Sequence, residues 1–262
     1  MNRSHHAVVW VLLAGVGLCQ RLSWGEEPAK QPPPSPASAP AKTGLGDPPG
    51  ATRLSPQHDV WLDKMRKVVI IDGEVCLREG QLEMFVCIKQ TKEHESILTA
   101  NTKAFMVHAA LLALGAQPGK PVQFDPKYVP ASGTEVDITL LWIDKDGKKR
   151  QARAQDWIRD GNTKKPLTYN WVFAGSGFWE DDETKIKHYL AEGGDFICVS
   201  NFPSAMLDLP VESSQSDQAR GYECNTENIP PVRTKVRIVL KPKLEAKEQP
   251  KKAAAAPKPE TK

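Results

Sequence analysis

The chain has 262 residues, 40% of them apolar and 26% charged, and a formal charge of +3. That positive charge sits at the ends: Arg3 and Arg21 lie near the start, and from Lys243 onward the lysines outnumber Glu245, Glu248 and Glu260. The middle is slightly acidic, which removes the basic footprint that a nucleic-acid partner needs.

Behind Arg3 an apolar run, Ala7 to Leu18, has about 12 residues, which suits a signal-peptide core and is too short for a membrane span. Ser23 and Gly25 supply the small residues of a cleavage site, so residues 1–25 read as a leader. The mature chain is then expected to begin near Glu26 and to be exported, periplasmic or secreted. An acylated Cys19 is the competing reading, although Leu18 stands where a lipobox has a small residue. No later stretch reads as a transmembrane segment. Residues 26–56 are rich in Pro and Ala and hold too few branched or aromatic side chains to offset chain entropy, so they read as a disordered linker. Residues 243–262 read as a disordered tail of Lys, Ala and Pro, and one domain, residues 57–242, is left to bury a core.

Within that domain, alternation and β-branched content predict strands near residues 67–71, 74–77, 82–89, 135–143, 149–154, 171–178, 187–191, 195–200 and 234–240. Tight turns are expected at Arg78 to Gln81, at Asp144 to Gly147 and at Glu192 to Gly194, which makes neighbouring strands antiparallel. A single helix is predicted over Thr102 to Leu114, capped by Asn101 and ended by Gly115, with Phe105, His108, Ala109 and Leu112 as its buried face. The expected fold class is α+β, a mainly antiparallel β-sheet with one principal buried helix.

Cys76, Cys87, Cys198 and Cys224 remain once the leader is removed, and four cysteines permit three pairs of bridges. A hairpin at Arg78 to Gln81 would carry Cys87 about four residues beyond the partner of Cys76, which disfavours that bridge. Cys87 and Cys198 also suit small buried core positions. None of the four forms a Cys-x-x-Cys pair, so an iron–sulfur cluster has no ligand set.

The densest chemistry is Lys92-Glu93-His94-Glu95-Ser96, directly behind the apolar run Met84 to Ile88. With His108 on the helix, Lys92, His94, Glu95 and Ser96 form the expected ligand-binding set. Glu93, His94 and Glu95 are the candidate acid–base residues. His94, Glu95 and His108 would make a mixed nitrogen and oxygen shell suited to zinc. The structural alternative is a polar network in which His108 is a satisfied core histidine. Ser176 lacks the spacing of a nucleophile elbow, and Asp144 to Gly147 lacks the later glutamate of a calcium loop, so both read as turns. Trp142, Trp157, Trp171 and Trp179 divide between core packing and an aromatic ligand surface.

Together, Gly80-Gln81-Leu82-Glu83, Lys92 to Ser96, His108 to Gly115, Trp171 to Ser176 and Gly194 to Ile197 resemble the YdjY-domain family of exported bacterial proteins. The resemblance spans residues 58 to 242 and implies an exported domain of a family without an assigned reaction. Some relatives are linked with ferredoxin-like cysteine motifs, which this chain lacks. Two functions follow as expectations. The first is an exported binding or accessory module for a small molecule or another envelope protein, in an oligomeric state the sequence leaves open. The alternative is a small extracytoplasmic hydrolase, metal-assisted or not, using His94, Glu95 and His108.

Overall fold

A computed structural model describes residues 45–213 and 221–244. The leader, the expected mature start at Glu26, Cys19, most of the linker and the tail beyond Leu244 lie outside the described residues. In chain order the strands are β1 (Thr52–Arg53), β2 (Val60–Asp63), β3 (Val68–Val75), β4 (Met84–Ile88), β5 (Ser96–Ala100), β6 (Glu135–Ile143) and β7 (Lys149–Arg153). There follow β8 (Ile158–Asp160), β9 (Trp171–Phe173), β10 (Phe178–Glu180), β11 (Lys187–Tyr189), β12 (Ile197–Cys198), β13 (Leu207–Asp208), β14 (Tyr222–Cys224) and β15 (Lys235–Pro242). The helix α1 (Ala104–Leu114) lies between β5 and β6.

The fold is α+β, dominated by a mixed sheet that closes on itself. Its order is β3-β15-β6-β9-β13-β12-β4-β5, and β5 returns to pair with β3, so the eight strands form a barrel. Closure removes the free edges of an open sheet. The expected strands near 67–71 and 74–77 are one strand, and the break between them is a change of partner. One edge of β3 lies along β15, while the other serves β2 over Val68–Ile71 and β5 over Gly73–Val75. At Gly73 a Cβ would stand 2.8 Å from Thr99 O, so only glycine admits β5 there. Trp157, Trp171, Phe85, Phe173 and Phe196 are fully buried in the core.

Two pairings are parallel, β4 with β5 and β12 with β13, and the other strand pairings are antiparallel, so the sheet is mainly antiparallel as expected. The turn at Arg78 to Gln81 does not close a hairpin, because β5 stands between β3 and β4. Glu192 to Gly194 is not a hairpin either: it ends a short 3-10 turn, while β11 pairs with β10 and β12 with β4. Only Asp144 to Gly147 closes its expected hairpin, between β6 and β7, with Asp144 Oδ1 accepting from the Asp146 and Lys148 amides at 3.0 and 2.9 Å.

The helix ends as expected, with Gly115 in the left-handed conformation at φ 95°. Its start differs. Lys103 takes the N-cap position, no side chain of the cap contributes, and Glu192 Oε1 accepts from the Phe105 amide at 2.9 Å instead. Its buried face is also a correction. Ala104, Val107, Ala110 and Leu111 face the core, whereas Phe105 and Leu112 are 54% and 44% exposed. The segment Ala-Phe-Met-Val-His-Ala-Ala-Leu-Leu-Ala-Leu is apolar all round, so periodicity cannot choose a side. Burying Val107 and Leu111 contributes about 1.5–3 kcal/mol each.

The domain begins earlier than residue 57. Thr52–Arg53 pairs with Trp61–Leu62, and Arg53 bonds Asp59 Oδ1 at 2.7 Å and lies over the Trp61 ring. Arg237 on β15 grips Asp72 on β3 through two bonds of 2.7 and 2.8 Å and donates to Gly46 O. At the other end Lys243 pairs with Glu135 and Leu244 packs on the core. Among the described residues no helix is long and apolar enough to cross a membrane.

Candidate functional site

Only seven residues, 89–95, join β4 to β5, although parallel neighbours usually need a connection of a dozen or more. The chain therefore drops straight back over the sheet face that carries Cys87 and Thr99, and the Lys92 to Ser96 motif is this crossover. Its polar groups are largely spent on making the path. Glu93 Oε1 accepts from Thr99 Oγ1 at 3.2 Å and from the Gln90 amide. Ser96, fully buried, donates to Lys92 O at 2.6 Å. Lys92 Nζ stands 2.9 Å from Asp195 Oδ1, 3.6 Å from Glu95 Oε1 and 4.7 Å from the Phe202 ring centre. Burial works against the Lys92 ammonium, but Asp195, Glu95 and Glu83 outweigh it and hold its pKa above that of ordinary lysine.

His94 faces outward with 77% of its side chain exposed, and its Nε2 is 3.7 Å from Glu95 Oε2. Lys92, His94 and Glu95 are thus neighbours, as expected. His108 is not among them: no hydrogen bond or ion pair joins it to His94, Glu93 or Glu95 among the described residues. Among those residues, too, no three His, Cys, Asp or Glu side chains are grouped to hold a metal. The segment 189–195 reaches both histidine neighbourhoods. There Asp195 meets Lys92, Gly194 packs so closely that a Cβ would sit 2.6 Å from Thr91 Oγ1, and Tyr189 meets His108.

Around His108 the geometry is different. Tyr189 Oη is 2.8 Å from His108 Nδ1 and donates its proton to Gly175 O at 3.0 Å. The phenol must then accept from Nδ1–H, which fixes the tautomer and leaves the Nε2 lone pair unprotonated. Burial pushes the imidazole pKa down, against a smaller opposing bond to the Gly175 backbone, and the Phe173 ring meets it edge-on at 4.8 Å. Burial likewise pushes the Tyr189 hydroxyl up.

This pair lines a groove of about 520 Å³ between α1 and the β10–β11 hairpin. Phe105 and Phe178 give it aromatic walls, 54% and 67% exposed. Lys103, Lys187, His188 and Glu192 give it a polar rim. Beside it Trp179 is 53% exposed and lies against His188, with ring centres 5.1 Å apart. A larger cleft of about 1050 Å³ lies by Trp142, Ile143 and Ile229, but its Asp144 is committed to the β6–β7 turn. Asp144 is held by the Lys148 and Asp146 amides and by Arg150 Nε at 2.6 Å. The smaller groove is the better candidate because it holds a half-buried imidazole of defined tautomer.

Sequence reasoning found His108 but missed Phe178 and Tyr189, from a hairpin distant in sequence, and Glu192, from the 3-10 turn that follows it. The exposed aromatics between Phe178 and Tyr189 were the available signal. Trp157 and Trp171 are core, Trp142 packs edge-on against Trp157, and Trp179 alone of the four is exposed. Ser176 serves structure, donating to Ser204 O and accepting from the Ala191 amide.

No curated protein and no solved structure matches this chain. The family model for the YdjY domain matches residues 60–241, from β2 to the end of the barrel, taking in both the crossover and the groove, and the chain belongs to that family.

Proposed function

We propose that this chain is an exported binding module whose ligand lies in the groove between α1 and the β10–β11 hairpin. The observation that carries the reading is the pairing of two exposed aromatic walls, Phe105 and Phe178, with a half-buried His108 that offers an unprotonated Nε2. Apolar faces with a few convergent polar groups are the usual make-up of a small-molecule site. The ligand class is carbohydrate. A sugar ring presents a C–H face to Phe105 or Phe178, and its hydroxyls donate to His108 Nε2 and Glu192 and accept from Lys187. Export rests on the leader-like Ala7 to Leu18 run and on Ser23 and Gly25.

Trp179 beside the groove makes the test direct. Neutral and N-acetylated oligosaccharides are titrated into the protein and tryptophan emission is followed, with Phe178→Ala alongside. Saturable quenching that weakens about tenfold in Phe178→Ala is expected, a loss of about 1.4 kcal/mol. If no oligosaccharide gives a saturable change, the carbohydrate assignment is wrong.

A further inference from the structure

We propose that the ligand of the groove is an acidic saccharide whose carboxylate is held by Lys187, an inference that rests on the carbohydrate reading above and adds the charge of the sugar. The ionisable lining beside Tyr189 is Lys103, His108, Lys187, His188 and Glu192. Glu192 is the one carboxylate among them, and it already has partners. Its Oε1 accepts from the Phe105 amide at 2.9 Å, at the positive end of α1, and its Oε2 stands 3.8 Å from Lys103 Nζ. The charges of Lys103 and Glu192 therefore cancel.

The charge of Lys187 does not. The antiparallel register sets it opposite Glu180, on the same face of the hairpin as Phe178 and Tyr189. Glu180, however, lies 4.0 Å from Lys185 Nζ and outside the groove lining, and among the described residues no ion pair joins Lys187 to a carboxylate. His188 is on the other face of the hairpin, against Trp179. The groove thus presents one uncompensated ammonium beside an aromatic wall and the Nε2 lone pair of His108.

Position decides what that ammonium can meet. Lys187 is two residues along β11 from Tyr189, about 7 Å, and Tyr189 is the residue that bonds His108. A sugar ring that lies on Phe178 and gives a hydroxyl to His108 Nε2 directs a further substituent of the same ring toward Lys187. A neutral sugar closing there would strip water from an unpaired cation, which is unfavourable, whereas a carboxylate offsets that loss with a charge-assisted hydrogen bond. The match is one charge to one. A phosphate ester, at about −1.5 to −2 near neutral pH, would leave negative charge over.

The test uses the mature chain and its tryptophan emission, with Trp179 exposed beside the groove. Oligogalacturonate and oligomannuronate are titrated, each alongside its own methyl ester, which keeps the sugar and removes the charge. At least one acid should bind about tenfold more tightly than its ester, and the difference should shrink as salt is added. In Lys187→Met the acid and its ester should bind alike, within about twofold, and Lys187→Arg should keep the difference. Lys187 is exposed on a two-stranded hairpin, so both variants keep the fold. Acid and ester binding alike in wild type, or a preference for the acid that persists in Lys187→Met, would overturn the role of Lys187 and leave the carbohydrate reading standing. Binding of neutral oligosaccharides with no binding of either uronide would do the same. No saturable change with any oligosaccharide, acidic or neutral, would overturn both.

Discussion

Tyr189 Oη lies between His108 Nδ1 and Gly175 O, 2.8 Å from the first and 3.0 Å from the second, and so ties α1 to the β10–β11 hairpin through one hydroxyl. Tyr189→Phe keeps the ring, its contact with Phe178 and its burial, and removes only that link. Two groups then lose a partner in a half-buried place, and a cost of about 1–3 kcal/mol is expected. Urea midpoints of the two proteins measure it. A change below about 0.5 kcal/mol, the range of ordinary surface substitutions, would mean that the hydroxyl is not what joins the hairpin to the helix.

The same pair sets a pH dependence. Burial holds the His108 pKa below its ordinary value, so the folded state binds this proton less readily than the unfolded chain does. The stability this group contributes is therefore complete above about pH 6.5, the unfolded value, and is lost as pH falls toward the lower folded value. His108→Gln, which cannot titrate, should show a flatter decline below about pH 6.5 than wild type. Parallel slopes in the two proteins would assign the acid loss to other groups.

In the crossover, Lys92 is the organising residue and His94 is peripheral. Lys92→Met leaves Asp195 Oδ1, already fully buried, facing no cation, and should cost about 1–3 kcal/mol. Lys92→Met combined with Asp195→Asn should recover part of that cost, which marks the pair as coupled. His94→Ala, at 77% exposure, should stay within about 0.5 kcal/mol. Combined with His108→Ala, it should be additive within about 0.3–0.5 kcal/mol. A larger departure would show that segment 189–195 transmits a coupling between the histidines.

How much of this was legible beforehand depends on how local the determinants are. The β6–β7 hairpin was readable because Asp144 and Gly147 make the turn from their own side chain and backbone. The Gly115 helix stop was readable for the same reason. The barrel was not. It depends on β3 changing partners at Asp72 and on β5 entering between β3 and β4, and neither event has a signature in nearby residues. The exposed face of α1 escaped because alanine and leucine occupy both sides, so the groove was assigned to the core. Lys92 to Ser96 drew attention as dense chemistry, yet its density reflects a short parallel crossover that must satisfy its own polar groups.

The position of the domain boundary is testable without reference to function. Residues 45–56 fold onto the barrel through Gly46, Arg53 and the Thr52–Arg53 pairing, whereas their composition alone suggested a spacer. A chain starting at residue 57 should therefore be less stable than one starting at residue 45, by more than about 1 kcal/mol. Deleting the earlier segment strips Arg53 from Asp59 and uncovers Trp61, which is 2% exposed. Equal denaturant midpoints for the two chains would return these residues to the linker.

The last expectation concerns Asp208, on β13, fully buried and facing the side chain of Asn201. Its Oδ1 accepts from the Leu209 amide at 2.8 Å and from Asn201 Nδ2 at 3.1 Å, and its Oδ2 accepts from the Phe202 amide at 3.4 Å. Those bonds favour the carboxylate, but desolvation outweighs them and, with the nearby Asp195 charge, raises the pKa to about 7. A folded-state pKa above the unfolded one means that the folded chain holds the proton more tightly. Stability from this group is complete below about pH 3.9 and is lost as pH rises to about 7, by at most on the order of 4 kcal/mol. Asp208→Asn keeps an oxygen for the Leu209 amide and carries no charge at any pH. Relative to wild type it should lose stability, or gain none, near pH 4 and gain stability near pH 8. Denaturant midpoints at the two pH values decide the matter. If Asp208→Asn is the less stable protein at pH 8, the three donors outweigh burial and the carboxylate is a stabilising anion rather than a buried acid.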